Sequence, residues 1–137
     1  MRRLILDQET LGLASLLERR TQVEVKDCFR EQDIIYFVVA SGQIGKALGK
    51  GGRTIQKVQQ QIGKRVKVIE YSDKVEEFVK NVILPLTVEQ VIQEKGILLI
   101  KDDNKKTKSL LIGRDGRNLS IINRAVRRFF AVEVKVV

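Results

Sequence analysis

The chain has 137 residues, a formal net charge of +9, one cysteine and no histidine. This length is enough for one ordinary domain or two very small ones, and the cysteine and histidine counts exclude disulfide frameworks, cysteine-rich zinc sites and an imidazole general base. No apolar stretch approaches the roughly 20 residues that span a membrane, and no signal-like segment opens the chain, so we expect a cytoplasmic protein without a cofactor.

Helical and strand patterns alternate in the first half of the chain. The predicted elements are, in order, a helix over 6–20, strands over 21–29 and 33–40, a short helix, a second helix from Arg53 and a strand over 64–70. In the second helix Ile55, Val58 and Ile62 recur at i, i+3 and i+7. This spacing predicts an apolar face, with Lys57 and the glutamines on the outside.

The two helices flank the segment ALGKGGRTI, residues 47–55. Its glycines, Gly49, Gly51 and Gly52, either permit unusual dihedral angles or let another group approach the main chain. Backbone N–H groups at a helix start, with Lys50 and Arg53 beside them, would suit a phosphate. A plain turn between two packed helices is the alternative.

The second half of the chain repeats this order of elements. The predicted elements are a helix over 72–84 that Pro85 ends, strands over 87–93 and 96–101, a short helix over 106–111, the segment GRDG at 113–116, a long helix and a strand over 130–137. We expect residues 101–106, KDDNKK, to be an exposed loop rather than a metal site, because two adjacent aspartates make a poor ligand pair.

When the two glycine segments are aligned in sequence, chemically similar residues of the two halves of the chain match each other. The paired positions are Gly49 with Gly113, Lys50 with Arg114, Gly52 with Gly116, Arg53 with Arg117, Ile55 with Leu119, Val58 with Ile122, Ile62 with Val126, Val66 with Phe130 and Val68 with Val132. Such self-similarity indicates two copies of one supersecondary unit. The positive charge follows the repeat, since residues 43–70 and 101–137 each carry +6 and the remainder is slightly acidic. This distribution favours a polyanionic partner.

A glycine, two free positions and a second glycine between two helices resemble the GXXG loop of KH domains, and LGKGGRTI and IGRDGRNL both fit the pattern. The strand pair precedes each loop and one strand follows the last helix, which resembles the type II arrangement. The resemblance implies an α+β fold of two tandem type II KH domains, α-β-β-α-α-β, each a three-stranded sheet covered by helices. We place the first domain at 1–70 and the second at 71–137, with the boundary between 70 and 86.

The segment GQIGKALGKGGRTIQKVQQQIGKRVKVIEYSD, followed by FVKNVILP, resembles the tandem KH region of the NusA family of transcription factors. We expect the short archaeal form, because 137 residues leave no room for the polymerase-binding and S1 domains of bacterial members. The resemblance implies a non-enzymatic protein that binds single-stranded RNA in transcription termination or elongation, with RNA polymerase or the nascent transcript complex as a further partner.

In KH domains the GXXG loop clamps about four nucleotides by their backbone. The resemblance therefore implies an RNA site at Lys46, Gly49, Lys50, Gly51, Gly52, Arg53, Gly113, Arg114, Asp115, Gly116 and Arg117. Because the carboxylate of Asp115 repels phosphate, we expect the second loop to bind more weakly than the first.

Two other functions are possible on the sequence alone. A nucleotide-dependent enzyme would need a phosphate loop, but neither G-x-x-x-x-G-K-[ST] nor G-x-G-x-x-G occurs. A KH-fold protein of ribosome assembly, or a scaffold on ribosomal RNA, is the stronger rival. A preference for single-stranded over structured RNA separates it from the transcription factor.

Overall fold

A computed structural model describes residues 7–137, which form two compact units, one ending at Ser72 and the other comprising Asp73–Val137. The first unit contains α1 (Gln8–Thr21), β1 (Val25–Glu31), β2 (Ile34–Val39), α2 (Ile44–Leu48), α3 (Arg53–Ile62) and β3 (Arg65–Glu70). The second contains α4 (Val75–Ile83), β4 (Gln90–Glu94), β5 (Ile97–Lys101), α5 (Lys105–Ile112), α6 (Arg117–Arg127) and β6 (Glu133–Val136). The predicted α+β fold and the order α-β-β-α-α-β are confirmed in both units. Residue 6 of the first predicted helix lies outside the described residues.

Each unit is built on one mixed sheet of three strands. The middle strand, β2 or β5, pairs antiparallel with the strand before it and parallel with the last strand of the unit. A parallel pair needs a crossover connection, and the two helices with their glycine loop supply it. The loop therefore sits in the crossover that joins the middle strand to the last one.

Helices cover one face of the first sheet, and alternate strand residues fill that face. The buried cluster consists of Ala14, Leu17, Val23, Cys28, Ile35, Phe37, Val39, Ala47 and Val58. Ile55 and Ile62 pack against it from α3, and the equivalent face of α6 buries Ile122 and Val126. The predicted apolar faces of both long helices are thus confirmed.

One glutamine expected on the outside of α3 instead faces the sheet. Gln59 is half-buried, and its Oε1 accepts a hydrogen bond of 2.9 Å from the backbone N–H of Val66. Asn123, at the equivalent position of α6, accepts from the N–H of Val134 at 2.8 Å and donates to the carbonyl of the same residue at 3.0 Å. In both units a side-chain amide therefore ties the last helix to the last strand.

These contacts correct the end of the repeat alignment. Val66 lies opposite Ile35 in the first sheet, whereas Val134 lies opposite Leu98 in the second. The counterpart of Val66 is therefore Val134 and not Phe130, and by the same register that of Val68 is Val136 and not Val132. The cause is the connection between the long helix and the last strand, which is longer in the second unit than in the first.

The longer second connection has a physical cause. Gly63 ends α3 in a left-handed conformation with φ 76°, and β3 begins soon afterwards at Arg65. At the end of α6 Arg128 stays right-handed, and the N–H groups of Phe129 and Phe130 both bond to the carbonyl of Val126. The rings of Phe129 and Phe130 then contact the buried Phe78 ring, at centroid distances of 5.5 and 5.8 Å respectively. The predicted strand over 130–137 accordingly shortens to Glu133–Val136.

Other boundaries also differ from the prediction, and two of them have a clear cause. Thr21 belongs to α1 rather than to the first strand, because its hydroxyl donates to the carbonyl of Leu17 and Gln22 ends the helix with φ 60°. The predicted loop 101–106 is shorter than expected, since α5 already begins at Lys105. Asp102 in this loop is buried, and its carboxylate accepts from the N–H groups of Glu89 and Asn104. It holds the start of β4 against the loop before α5.

Burial perturbs two titratable side chains that lie opposite each other in the first sheet. It raises the pKa of Tyr36, an effect that Glu31 strengthens and Arg65 opposes, and it lowers the pKa of Lys67. The Tyr36 ring also stacks on Phe29 at a centroid distance of 4.9 Å. Both perturbed groups belong to the sheet rather than to the glycine loops. Among the described residues, none of the helices has the length and apolar character needed to cross a membrane.

The amide contact of α6 predicts a stability effect. Asn123→Ala should lower the free energy of unfolding by about 1–2 kcal/mol, because it removes two hydrogen bonds to the backbone of Val134. Urea unfolding followed by circular dichroism measures this change. Ser120→Ala on the exposed side of the same helix is the matched control and should stay within about 0.5 kcal/mol of wild type. Equal effects of the two substitutions would show that the contact contributes no stability.

Candidate nucleic-acid interface

Both glycine loops have the same backbone conformation. The first glycine is extended with positive φ, and the third and fourth residues are left-handed. In the first loop the φ and ψ angles are 76° and 171° at Gly49, 62° and 21° at Gly51, and 75° and 13° at Gly52. In the second loop they are 75° and 174° at Gly113, 58° and 27° at Asp115, and 75° and 14° at Gly116. The chain therefore builds one loop shape twice, and an aspartate takes the left-handed position that glycine holds in the first copy.

The first position of each loop must be glycine, because a side chain of the following helix fills the space that a Cβ would need. A Cβ on Gly49 would overlap the Thr54 hydroxyl and lie 2.7 Å from the Thr54 Cβ, while a Cβ on Gly113 would lie 2.6 Å from the Asn118 Cγ. Its backbone angles are also open almost only to glycine. The second residue of the following helix therefore fills the space that a side chain at each of these positions would need.

Asn118 also fixes the shape of the second loop directly. Its Nδ2 donates a hydrogen bond of 2.8 Å to the carbonyl of Leu110 in α5. This bond joins the end of α5 to the start of α6 across the loop. The loop is therefore held from both sides before any ligand binds.

The other glycines face open space. A Cβ on Gly51, Gly52 or Gly116 would meet no atom within 4 Å, so only their positive φ favours glycine. Gly52 and Gly116 are the N-caps of α3 and α6, and neither helix has a side-chain cap. The positive end of each helix dipole therefore points toward an uncrowded loop, an arrangement suited to an anion.

Three of the predicted cations lie in the first loop or in the helices on either side of it. Lys46, Lys50 and Arg53 are exposed, and none makes an ion pair with any of residues 7–137. No acid lies between positions 46 and 53, so this segment carries +3. The first loop therefore combines a helix N-terminus with three available positive charges.

The second loop has the same shape and less charge. Arg114, Asp115 and Arg117 are all exposed, and residues 110–117 carry only +1. Leu110 takes the place of Lys46 and is 46% exposed. The sequence reasoning did not single out Leu110, although superposing the two glycine segments already placed it over Lys46.

Different side chains position the helix before each loop. In the first unit Gln43 Oε1 accepts from the N–H of Glu24 at 2.6 Å, and Glu70 Oε2 accepts from the N–H of Gly42 at 2.6 Å. In the second unit Asp102 accepts from the N–H groups of Glu89, just before β4, and of Asn104, which caps α5 by accepting from the N–H of Thr107. The start of α2 and the start of α5 are thus both fixed to the strands of their own unit.

The crowding at Gly49 predicts that the glycines differ in how they tolerate substitution. Gly49→Ala should lower the free energy of unfolding by about 3 kcal/mol or more, because the methyl group overlaps Thr54 at backbone angles that alanine avoids. Gly52→Ala should lower it by only about 1–2 kcal/mol, since space is open there and only the left-handed backbone is unfavourable. Thermal and urea unfolding measure both values. A larger effect at Gly52 than at Gly49 would contradict the structural assignment.

Comparison with known proteins extends these observations. Residues 14–94 match the family model of the KH domain. A protein of Methanococcus vannielii named "Probable transcription termination protein NusA" is 33% identical over 127 residues, which cover 90% of this chain and 72% of the relative. A protein of the same name from Halococcus morrhuae is 29% identical over 133 residues, which cover 96% of both chains.

A solved structure agrees with the fold of the whole repeat. The crystal structure of APE1850 matches with a TM-score of 0.76 at 29% sequence identity, over 96% of this chain and 100% of that chain. The two sheets, the two crossover loops of identical shape and the sequence matches lead to one conclusion. The chain belongs to the archaeal NusA family of tandem type II KH-domain proteins.

Proposed function

We propose that this chain binds single-stranded RNA through its two glycine loops and acts in transcription termination or elongation. The observation that carries the proposal is the first loop, where three exposed cations without ion pairs among the described residues surround the uncapped start of α3. Such a site suits successive phosphates of a single strand, and KH domains clamp about four nucleotides by their backbone at this loop. The chain would act by binding and not by catalysis.

The open side of the loop supports contact with the RNA backbone. Gly51 and Gly52 leave free space where a side chain would otherwise project, so phosphate oxygens can approach the main chain there. Gly49 has a different role in this account, because it allows Thr54 to pack under the loop. Lys46, Lys50 and Arg53 supply the charge, and bases would lie in the adjoining groove.

The second loop would bind RNA as well, with lower affinity. Gly113 and Gly116 give it the same backbone as the first loop, and Arg114 and Arg117 flank it. The exposed carboxylate of Asp115 lowers the positive charge where a phosphate would lie. Repulsion of this kind weakens an anion site without changing its shape.

The relatives supply the biological setting of the proposal. The relatives are named probable transcription termination proteins, which supports the proposal that this chain binds RNA emerging from a polymerase, with RNA polymerase or the transcript complex as a further partner. A role in ribosome assembly would instead require preference for folded RNA. Competition between an unstructured RNA and a stable hairpin distinguishes the two, and we expect the unstructured RNA to bind more tightly.

The matched loops provide a clean test of the phosphate contact. Gly51→Asp should weaken RNA binding about tenfold by adding a negative charge at a position whose backbone suits aspartate, as Asp115 demonstrates. Gly51→Asn, which is neutral and also tolerates left-handed angles, should bind close to wild type. Fluorescence anisotropy with a labelled single-stranded RNA measures the affinities. Equal losses in the two variants would point to side-chain bulk instead of charge.

The reciprocal substitution should have the opposite effect. Asp115→Gly gives the second loop the composition Gly-Arg-Gly-Gly and should strengthen RNA binding about fivefold, because it removes the negative charge at that site. The same anisotropy assay measures the gain. Unchanged affinity would mean that the second loop does not contact the RNA.

A further inference from the structure

The second unit carries lysines that have no counterpart in the first. Lys105, Lys106 and Lys108 lie in the first half of α5, whereas the aligned positions of the first unit are Ser41, Gly42 and Ile44. We call these three lysines the α5 strip. The second unit thus has fewer net positive charges at its loop and more on the helix that leads to it.

The strip is available to bind an anion. Lys105 and Lys106 are exposed and Lys108 is half-exposed, and none of the three makes an ion pair with any residue in the described part of the chain. Of the two acids just before the strip, Asp102 is turned inward and bonds to two backbone N–H groups, whereas Asp103 is exposed, and residues 101–108 keep a net charge of +2. Asn104 already caps the helix, so the strip acts through its lysine side chains and not through the helix end.

The position of the strip relates it to the second loop. α5 rises about 1.5 Å per residue, so Lys105 lies about 12 Å along the helix from Gly113. Lys108 is nearer, at about 7.5 Å, which is within the Debye length of roughly 8 Å at physiological salt. A strand held at the loop and continuing along α5 would place further phosphates beside these side chains.

The geometry points to an accessory RNA-backbone site on α5, at which the α5 strip contacts phosphates outside the nucleotides held by the second loop. This inference rests on the proposed RNA binding and adds to it that the two units use different footprints. The first unit concentrates its charge at the loop. The second spreads it along α5, so that it requires a longer strand.

The experiment compares two pairs of lysines in the same unit. Lys105→Gln/Lys106→Gln removes two charges from the strip, and Lys80→Gln/Lys95→Gln removes two exposed charges from α4 and from the turn between β4 and β5. Each full-length variant is titrated with a five-nucleotide and a twelve-nucleotide single-stranded RNA over a range of salt concentrations. Circular dichroism checks that both variants are folded.

For the longer RNA, the plot of log K against log salt has a negative slope. The strip variant should make this slope shallower by about 1.4, since each phosphate contact on a single strand contributes roughly −0.7. The control pair should change the slope by much less, and the short RNA should bind both variants as it binds wild type. Equal slope changes in the two variants would overturn the proposal, because the charge would then act diffusely. So would an equal loss on both RNAs, which would place the lysines within the loop site.

Failure of the wider function gives a different result. If wild type binds neither RNA, the proposed RNA binding itself is wrong, and the accessory site is rejected with it. If wild type binds both RNAs and the strip variant matches wild type on each, the accessory site alone is wrong. These two outcomes cannot be confused.

Discussion

The packing of one helix residue under the first glycine of each loop is the constraint on which the candidate site depends. Thr54 and Asn118 occupy space that any side chain on Gly49 or Gly113 would need. This contact fixes where the second helix begins relative to the first. With the turn set in this way, the next residues adopt left-handed angles and expose their backbone, and the following helix starts without a side-chain cap. The loop geometry on which the proposed anion site rests is thus a consequence of packing.

The two units share this backbone and differ in charge. Corresponding φ and ψ angles in the two loops nearly coincide, although the third residue is glycine in one and aspartate in the other. Shape is therefore repeated within the chain while the electrostatics vary. In the first unit the cations lie at the loop itself, and in the second several lie on the preceding helix. In the proposed function this difference in charge makes the second loop the weaker RNA site.

Much of the fold could be predicted from residue patterns, because the glycines and the apolar spacing of α3 and α6 are local signals. The helical spacing places Gln59, four residues after Ile55, on the apolar side of α3 and leaves Gln60 exposed. The hydrogen bond of Gln59 to the N–H of Val66 was not predictable, because that partner lies on the next strand. The later start of β6 depended on Phe129 and Phe130 packing on Phe78, a contact distant in sequence. At the site, the positions of the cations could be predicted from the sequence. The role of Gly49 could not, because its contact with Thr54 depends on the folded shape of the loop.

The most direct test of RNA binding at the glycine loops is backbone amide mapping by NMR on the ¹⁵N-labelled full chain, titrated with a short unstructured RNA. We expect the largest chemical-shift changes at residues 50–53, where the first loop meets α3, and smaller changes at residues 114–117. Changes confined to other surfaces, with the amides of residues 50–53 unaffected, would contradict this expectation. The glycines would then serve packing alone, and the basic charge would attract RNA without a defined clamp.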